Sequence, residues 1–269
     1  IISMKSKIAV IIPCYKASNK VGIFVNNLLG LASNLKEIYE INFFVVDDCC
    51  PESSYKEVSK SNSIYLIHNK INLGVGGSSI AGFRKALEMD HEIFIKMDAD
   101  GQHPAEYLRE LIPYVLDLPK NELTLVKGTR YLLNVKDKSS PIIRRSGSFL
   151  LEPLARISLM YKGLTDISNG FISFNKITLN YLLSKKIKGK LEPRYLFESS
   201  ILKKCSNIRA NIHQFQMHSL YGEKWVTSMK SHEMIFPLLT FWTSSLTSKI
   251  FNKYILQLNL GSLFLISSM

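Results

Sequence analysis

Asp98 and Asp100 stand one residue apart where the apolar run "IFIKM" ends, and Gln102, His103 and Pro104 follow directly. Mg²⁺ and Mn²⁺ take oxygen ligands and commonly complete their shells with substrate phosphates. The two carboxylates and the Gln102 amide oxygen therefore form a candidate open metal site, provided the chain turns at Gly101. His103 is too soft a donor for Mg²⁺ and is expected to orient a neighbour. Pro104 is expected in the first turn of a helix that continues through Tyr107, Leu108 and Leu111. An Asp-x-Asp pattern occurs often by chance, and an exposed acidic turn is the competing reading. That reading leaves unexplained why so apolar a stretch precedes the pair, and why polar groups recur at the ends of neighbouring apolar runs.

Those runs lie at 8–12 (IAVII), 42–46 (NFFVV), 64–67 (IYLI), 92–96 (EIFIK) and 124–126 (TLV), each closing in polar or Gly-rich residues. Such runs read as buried strands. Between them, 20–34 and 78–89 carry apolar residues at helical spacing. The alternation predicts an α/β chain with a mostly parallel sheet flanked by helices. Ligands of such sheets gather beyond the carboxyl ends of the strands. Asp47 with Asp48, Asn72 with Gly74, Asp98 with Asp100, and Gly128, Thr129 and Arg130 are then expected to face one crevice. Further along, the pattern predicts a helix over 141–161, a strand over 170–174, helices over 176–184 and 195–204, and a strand over 207–217.

A chain of 269 residues with 46% hydrophobic content can bury a sizeable core. Its net charge of +12 suits an anionic partner such as nucleic acid, a lipid headgroup surface or a phosphorylated substrate. The basic cluster Lys185, Lys186, Lys188 and Lys190 reads first as a solvated face. Cys14, Cys49, Cys50 and Cys205 form no CxxC pair and read as packing thiols of a reducing compartment, and the six histidines form no HExxH pattern, so zinc is not expected. No signal-peptide pattern is read at the start. The apolar stretches 235–242 and 254–266 each fall short of the roughly 20 residues that span a bilayer. They are expected to lie on a membrane without crossing it. The division expected is a catalytic domain over 4–226 and an apolar, membrane-associated segment over 227–269.

Taken together, "IAVIIPCYKASNKV", "FFVVDDCCPESSY", "NKINLGVGGSSIAGFRKAL", "KMDADGQHP", "VKGTRY", "RRSGSFLLEPLAR" and "LTDISNGFISF" resemble the inverting glycosyltransferases of family two. Within that family they resemble the branch of dolichyl- and polyprenyl-phosphate sugar synthases, over about residues 5–225. The resemblance implies a GT-A type, Rossmann-like fold and a Mg²⁺ or Mn²⁺ ion held by Asp98, Asp100 and Gln102 on the diphosphate of a nucleotide-sugar donor. It also implies substrate contacts at Pro13 and Tyr15, and an Asp48 that accepts hydrogen bonds from the base, with Asp47 sharing that work or capping the turn. "GVGG" lacks the phosphate-loop pattern, and Ser79 stands where a dinucleotide fingerprint wants its last Gly. Gly74, Gly76 and Gly77 are therefore expected to admit a close approach of backbone and nucleotide. Charge that builds on the departing diphosphate needs cations and fixed donors. Arg130 is the first candidate, with Arg144 and Arg145 as phosphate contacts or as helix-surface residues. From "HSLYGEKW", Lys224 is a phosphate candidate or part of a surface turn at Gly222.

On the acceptor side, many family members that glycosylate a hydroxyl carry a Glu-Asp pair whose Asp is the general base. Here "YLFESSIL" keeps Glu198 and puts Ser199 in the place of that Asp. A phosphate acceptor is already ionised and needs no base, so a polyprenyl-phosphate or lipid-linked acceptor is favoured. Transfer to a sugar hydroxyl with Glu198 as base stays open. Asp166 and Asn169 are expected to shape the acceptor mouth, with helix capping as the other reading of Asp166. The natural setting by analogy is cell-surface polysaccharide biosynthesis at the cytoplasmic face of a bacterial inner membrane. The rivals are a nucleotidyltransferase, which would release pyrophosphate, and a basic nucleic-acid module. The latter is disfavoured because the aromatic residues fall mainly in apolar runs instead of alternating with basic ones.

Overall fold

The computed structural model of the protein describes residues 5–18, 20–100, 103–131, 142–184, 191–218 and 234–252, with the backbone alone for 142–150. Seven strands form one sheet in the order β3-β2-β1-β4-β6-β5-β7. They are β1 (Ser6–Cys14), β2 (Tyr39–Asp47), β3 (Ile64–His68), β4 (Ile93–Lys96), β5 (Thr124–Thr129), β6 (Ile172–Asn175) and β7 (Asn211–Gln216). The pairs β1–β2, β1–β4, β2–β3 and β5–β7 are parallel, whereas β6 runs antiparallel between β4 and β5. Because β6 is reversed against both neighbours, β4 and β5 point the same way, and the carboxyl ends of β1 to β5 share one edge. The expected order of elements holds, with boundaries moved by a few residues.

The central strands are apolar on both faces because helices cover both. Ile8, Val10 and Ile12 of β1 share a buried cluster with Val21, Phe24, Val25 and Leu28 of α1 (Val21–Leu35) and with Leu108, Leu111 and Ile112 of α3 (Tyr107–Asp117). The alternate residues of β1 face α2 (Gly74–Glu88): a Cβ on Gly82 would come within 2.7 Å of the Ile11 side chain and 3.0 Å of that of Val46. Phe83 of α2 meets Phe174 of β6 edge to face. The remaining helices are α4 (Ile142–Leu159), α5 (Lys176–Leu183), α6 (Phe197–Asn207) and α7 (Ile235–Ile250). The basic cluster at Lys185, Lys186, Lys188 and Lys190 lies outside the described residues.

The chain divides into two compact units, one formed from 1–138 and 168–225, the other from 139–167 and 226–269. Within the second, α4 packs on α7, and Trp242 is its largest buried side chain. Among the described residues no helix is long and apolar enough to cross a membrane, and 253–269 lie outside them. The thiols of Cys14 and Cys205 are buried and are pushed up to about 12 by that burial, as packing residues should be. Cys49 departs from that expectation: it is exposed and sits at φ 55°, where the chain bends sharply after β2. Pro104 also lies before its helix, since α3 begins at Tyr107 and the residues between are held by successive turns.

His91, between α2 and β4, has Nδ1 3.0 Å from the Ala86 carbonyl and Nε2 2.8 Å from the Asn42 amide. Burial lowers its pKa, with the Ala86 contact only partly offsetting. The unfolded chain therefore takes up this proton more readily than the folded one. Stability should be flat above about pH 6.5 and should fall as pH drops below it. Urea unfolding at about pH 7.5 and 5.5 should show that loss in the native protein and a smaller one in His91→Gln; equal losses would contradict the assignment.

Candidate functional site

The ends of β1, β2 and β3 are level, with Cys14 paired to Asp47 and Asp47 to His68. That register brings the loop after β3 against Asp48. One Asp48 oxygen accepts from the Leu73 amide at 2.8 Å and the Asn69 side chain at 3.0 Å; the other accepts from the Gly74 amide at 2.7 Å. Asp48 is 3% exposed. Asp48, the expected reader of a base, also caps α2, placed where a negative charge best suits the positive end of a helix. Asp47 is likewise turned inward, to the Cys50 amide and the His68 ring. The Asn72 side chain reaches the Asp48 carbonyl at 3.4 Å. Of the other residues expected here, Pro13 is half-buried in β1 and Tyr15 is exposed.

The glycines of "GVGG" lie close against other parts of the chain. Gly74 has φ 77°, and a Cβ there would lie 2.7 Å from both the Pro193 carbonyl and the Arg194 side chain. The amides of Gly76 and Gly77 both donate to the Pro193 carbonyl, at 2.9 and 3.0 Å. At Gly74 and Gly76 the close approach is made by the protein's own 192–194 segment, which leads into α6, and at Gly77 by the Leu73 side chain. With Asp48 and Pro193 as acceptors, four successive or near-successive amides at the start of α2 already have partners.

The acidic pair is built around a residue to which the sequence assigned no role. Lys96, the last residue of β4, is wholly buried. Its ammonium lies 2.6 Å from Asp98 Oδ1, 3.1 Å from Glu198 Oε1 and 3.3 Å from the Gly170 carbonyl. Burial works against its charge, but Asp98 and Glu198 overcome that and hold its pKa above the ordinary lysine value. Burial likewise opposes ionisation of Asp98, and Lys96 outweighs it, so that the Asp98 pKa is lowered. Gly170 is fixed by the same pair: a Cβ there would be driven into Asp98 Oδ2 and would sit 2.8 Å from the Lys96 nitrogen.

Around this pair stand the other expected residues. The Asp98 amide donates to His103 Nδ1 at 3.2 Å, so His103 does orient a neighbour, as expected of it. Its ring packs against Phe171 and is buried; burial lowers its pKa, opposed by the fields of Asp98 and then Asp100, while Lys96 and Arg130 add to the lowering. Asp100 is exposed, whereas Arg130, directly after β5, is 8% exposed with its guanidinium 5.5 Å from the Tyr131 ring centre. Lys127 is a second wholly buried lysine, donating to the Asn169 carbonyl at 2.9 Å. Lys96 and Lys127 both pair with Ile172, one from each side of β6, so two lysines grip successive carbonyls of the turn that enters that strand. Asn169 has its own side chain on the Phe171 amide and Met217 sulfur.

Asp166 belongs to the second unit, where its amide donates to Glu152 and its φ is 51°. Glu152 also pairs with Arg156 one helical turn later, and Arg156 reaches back to the Leu164 carbonyl. This lock on the 160–167 segment went unassigned at the sequence level, although both residues lie in "RRSGSFLLEPLAR". Arg144 and Arg145 fall in α4, where only the backbone is described. Gln102 and Lys224 lie outside the described residues.

Asp98 and Asp100 fit a divalent ion in kind. Both are hard oxygen donors in a turn, and Asp98 Oδ1 is joined to Lys96. Among the described residues there is no group of three or more His, Cys, Asp or Glu able to enclose a metal.

Residues 9–178 match the sequence profile of glycosyl transferase family 2. The chain is 28% identical over 234 residues to a UDP-N-acetylglucosamine–dolichyl-phosphate N-acetylglucosaminyltransferase of Methanococcus voltae, covering 80% of this chain and 86% of that one. It is 28% identical over 188 residues to an undecaprenyl-phosphate mannosyltransferase of Micrococcus luteus, covering 68% and 72%. In fold it is similar to mannosyl-3-phosphoglycerate synthase from Rubrobacter xylanophilus, with TM-score 0.63 at 12% identity over 89% of this chain and 73% of that one. A second likeness is to glucosyl-3-phosphoglycerate synthase from Mycobacterium tuberculosis, crystallised with Mn²⁺, UDP and phosphoglyceric acid, with TM-score 0.59 at 13% identity over 90% and 78%.

The contact of Gly170 with the Asp98–Lys96 pair sets a prediction. Gly170→Ala should displace that pair, costing about 1–3 kcal/mol of stability from overpacking and roughly a hundredfold in turnover if Asp98 works where it stands. Chemical denaturation and a steady-state assay of the purified variant measure both, and native stability and rate in that variant would refute the geometry.

Proposed function

Because the chain belongs to glycosyl transferase family 2 and is a nucleotide-sugar-dependent glycosyltransferase, we propose that its acceptor is a polyprenyl phosphate. The observation that carries this is the state of Glu198. A hydroxyl acceptor must give up a proton to a base during attack, whereas a phosphate oxygen attacks as an anion. Glu198 is 8% exposed and is joined to the buried ammonium of Lys96, and its neighbour is Ser199, so the carboxylate best placed in sequence to act as a base is committed to an ion pair. Curated relatives named for transfer to dolichyl and undecaprenyl phosphate support the same choice.

In the proposed reaction a phosphate oxygen of the lipid attacks the anomeric carbon opposite the leaving group. The bond from that carbon to the diphosphate oxygen breaks with its electron pair leaving on the diphosphate, and a single displacement inverts the configuration. Asp98, Asp100 and Gln102 would hold a Mg²⁺ or Mn²⁺ ion, which when bound neutralises charge on the diphosphate. The chain's own share falls to Arg130, whose guanidinium follows β5 at the same edge of the sheet and can engage phosphate oxygens as a fork. The start of α2, often an anion site, has its amides on Asp48 and Pro193 and is not assigned to the phosphates.

The same reading places the enzyme on the cytoplasmic face of a bacterial inner membrane, in cell-surface polysaccharide assembly. Its support is the net charge of +12 and the exposed apolar residues Phe236, Leu239 and Phe251 along and just beyond α7. These suit an anionic lipid surface where the acceptor resides.

The deciding assay offers UDP-, GDP- and dTDP-sugars with Mn²⁺ to the protein on anionic vesicles that contain polyprenyl phosphate or, separately, free polyprenol. Transfer to the phosphate with release of a nucleoside diphosphate, none to the alcohol, and co-sedimentation with the vesicles are expected. Equal transfer to polyprenol, or a protein that stays in the supernatant, would reject the acceptor or the membrane site respectively.

A further inference from the structure

Lys96 is beyond the reach of any substrate, yet it touches both halves of the proposed site. Its ammonium bonds Asp98 in the metal loop at 2.6 Å and Glu198 in the first turn of α6 at 3.1 Å, with the Gly170 carbonyl as third partner at 3.3 Å. Alternation along β4 delivers it there: Ile95 faces the α1 and α3 side, so Lys96 faces the side of the sheet where Glu198 lies. A buried ammonium neutralising two carboxylates is a stability device in its simplest reading. It has a further consequence here, because a divalent ion at Asp98 competes with it for the same carboxylate. The positive charges repel, and the field of Glu198 draws the ammonium away from Asp98.

We infer that Lys96 is a positioning residue shared by the metal loop and α6, one that weakens the hold of Asp98 on a free cation and couples occupancy of that loop to the pairing of Glu198. The inference rests on the reading that Asp98 and Asp100 hold a divalent ion. Removing the Lys96 charge should release Asp98 to the ion and tighten its binding. Removing the Glu198 charge should leave the ammonium wholly to Asp98 and weaken it. Because the effect of Glu198 runs through Lys96, it should shrink once Lys96 is gone.

Mn²⁺ binding, followed by the electron paramagnetic resonance of the free ion with UDP or with GDP present, tests this on the full chain. The set is the wild type, Lys96→Met, Glu198→Gln, the double variant and Asp100→Ala. Lys96→Met is expected to bind Mn²⁺ about fivefold tighter or more, and Glu198→Gln weaker by a similar factor, with the second shift reduced in the double variant. Tighter binding is a result that a merely loosened fold does not give. Unchanged or weaker Mn²⁺ binding by folded Lys96→Met would overturn the inference, as would a Glu198→Gln shift of one size with and without Lys96. Should Lys96→Met fail to fold, Glu198→Gln decides, and a native Mn²⁺ affinity in that variant overturns the coupling. Asp100→Ala separates the two levels: if the wild type binds no Mn²⁺ with either nucleotide, or binds it regardless of Asp100, the metal reading itself falls and the inference with it.

Discussion

A lysine at the end of an apolar strand, buried between two carboxylates from different parts of the chain, is the interaction on which the proposed chemistry depends. Lys96 stays charged because Asp98 and Glu198 are near enough to outweigh the cost of its burial. In return it fixes where both carboxylates sit. It also explains a glycine: Gly170 has no side chain because the Asp98–Lys96 pair occupies that space. Taking either charge away leaves its partners buried without compensation, so the triad is maintained as a unit.

The sheet supplies the frame. Reversal of β6 lets β4 and β5 run together, which sets Asp98, Asp100 and Arg130 at one edge, while the level ends of β1, β2 and β3 draw the 69–74 loop onto Asp48. These two ends of the edge serve different purposes. At Asp48 the polar groups are turned inward and hold α2 and the 192–194 segment together. At Asp98 the structure keeps an exposed carboxylate in Asp100 and a compact set of charges behind it. In the proposed reaction, stabilisation of the leaving diphosphate is assigned to the second end.

Much of this was legible from residue pattern. The apolar runs and their polar ends gave the strands and the shared edge, because burial on both faces leaves a continuous signature that length and flanking residues resolve. The capping contacts of Asp48 were not legible, since a carboxylate at a strand end carries no sign of the amides of a helix that starts two dozen residues later. Nor was the role of "GVGG": glycine reports a close approach but not by what. Lys96 and Lys127 did leave a signal, a lysine closing or interrupting an otherwise apolar strand, which ordinary burial statistics mark as a group in need of partners. Apart from Asp98, two residues on, those partners come from 169–170 and 198, too far along the chain for spacing to indicate. Glu152 and Arg156 are four residues apart, yet their purpose depends on how 164–166 folds back.

The most direct test of the whole account is a crystal structure with Mn²⁺ and a nucleoside diphosphate, in which anomalous scattering locates the ion. The account predicts manganese bonded to Asp98 and Asp100 and to the diphosphate, with the Lys96 ammonium behind it and still joined to Glu198. Manganese bound elsewhere, or a Lys96 turned out to solvent with Asp98 and Glu198 apart, would contradict it.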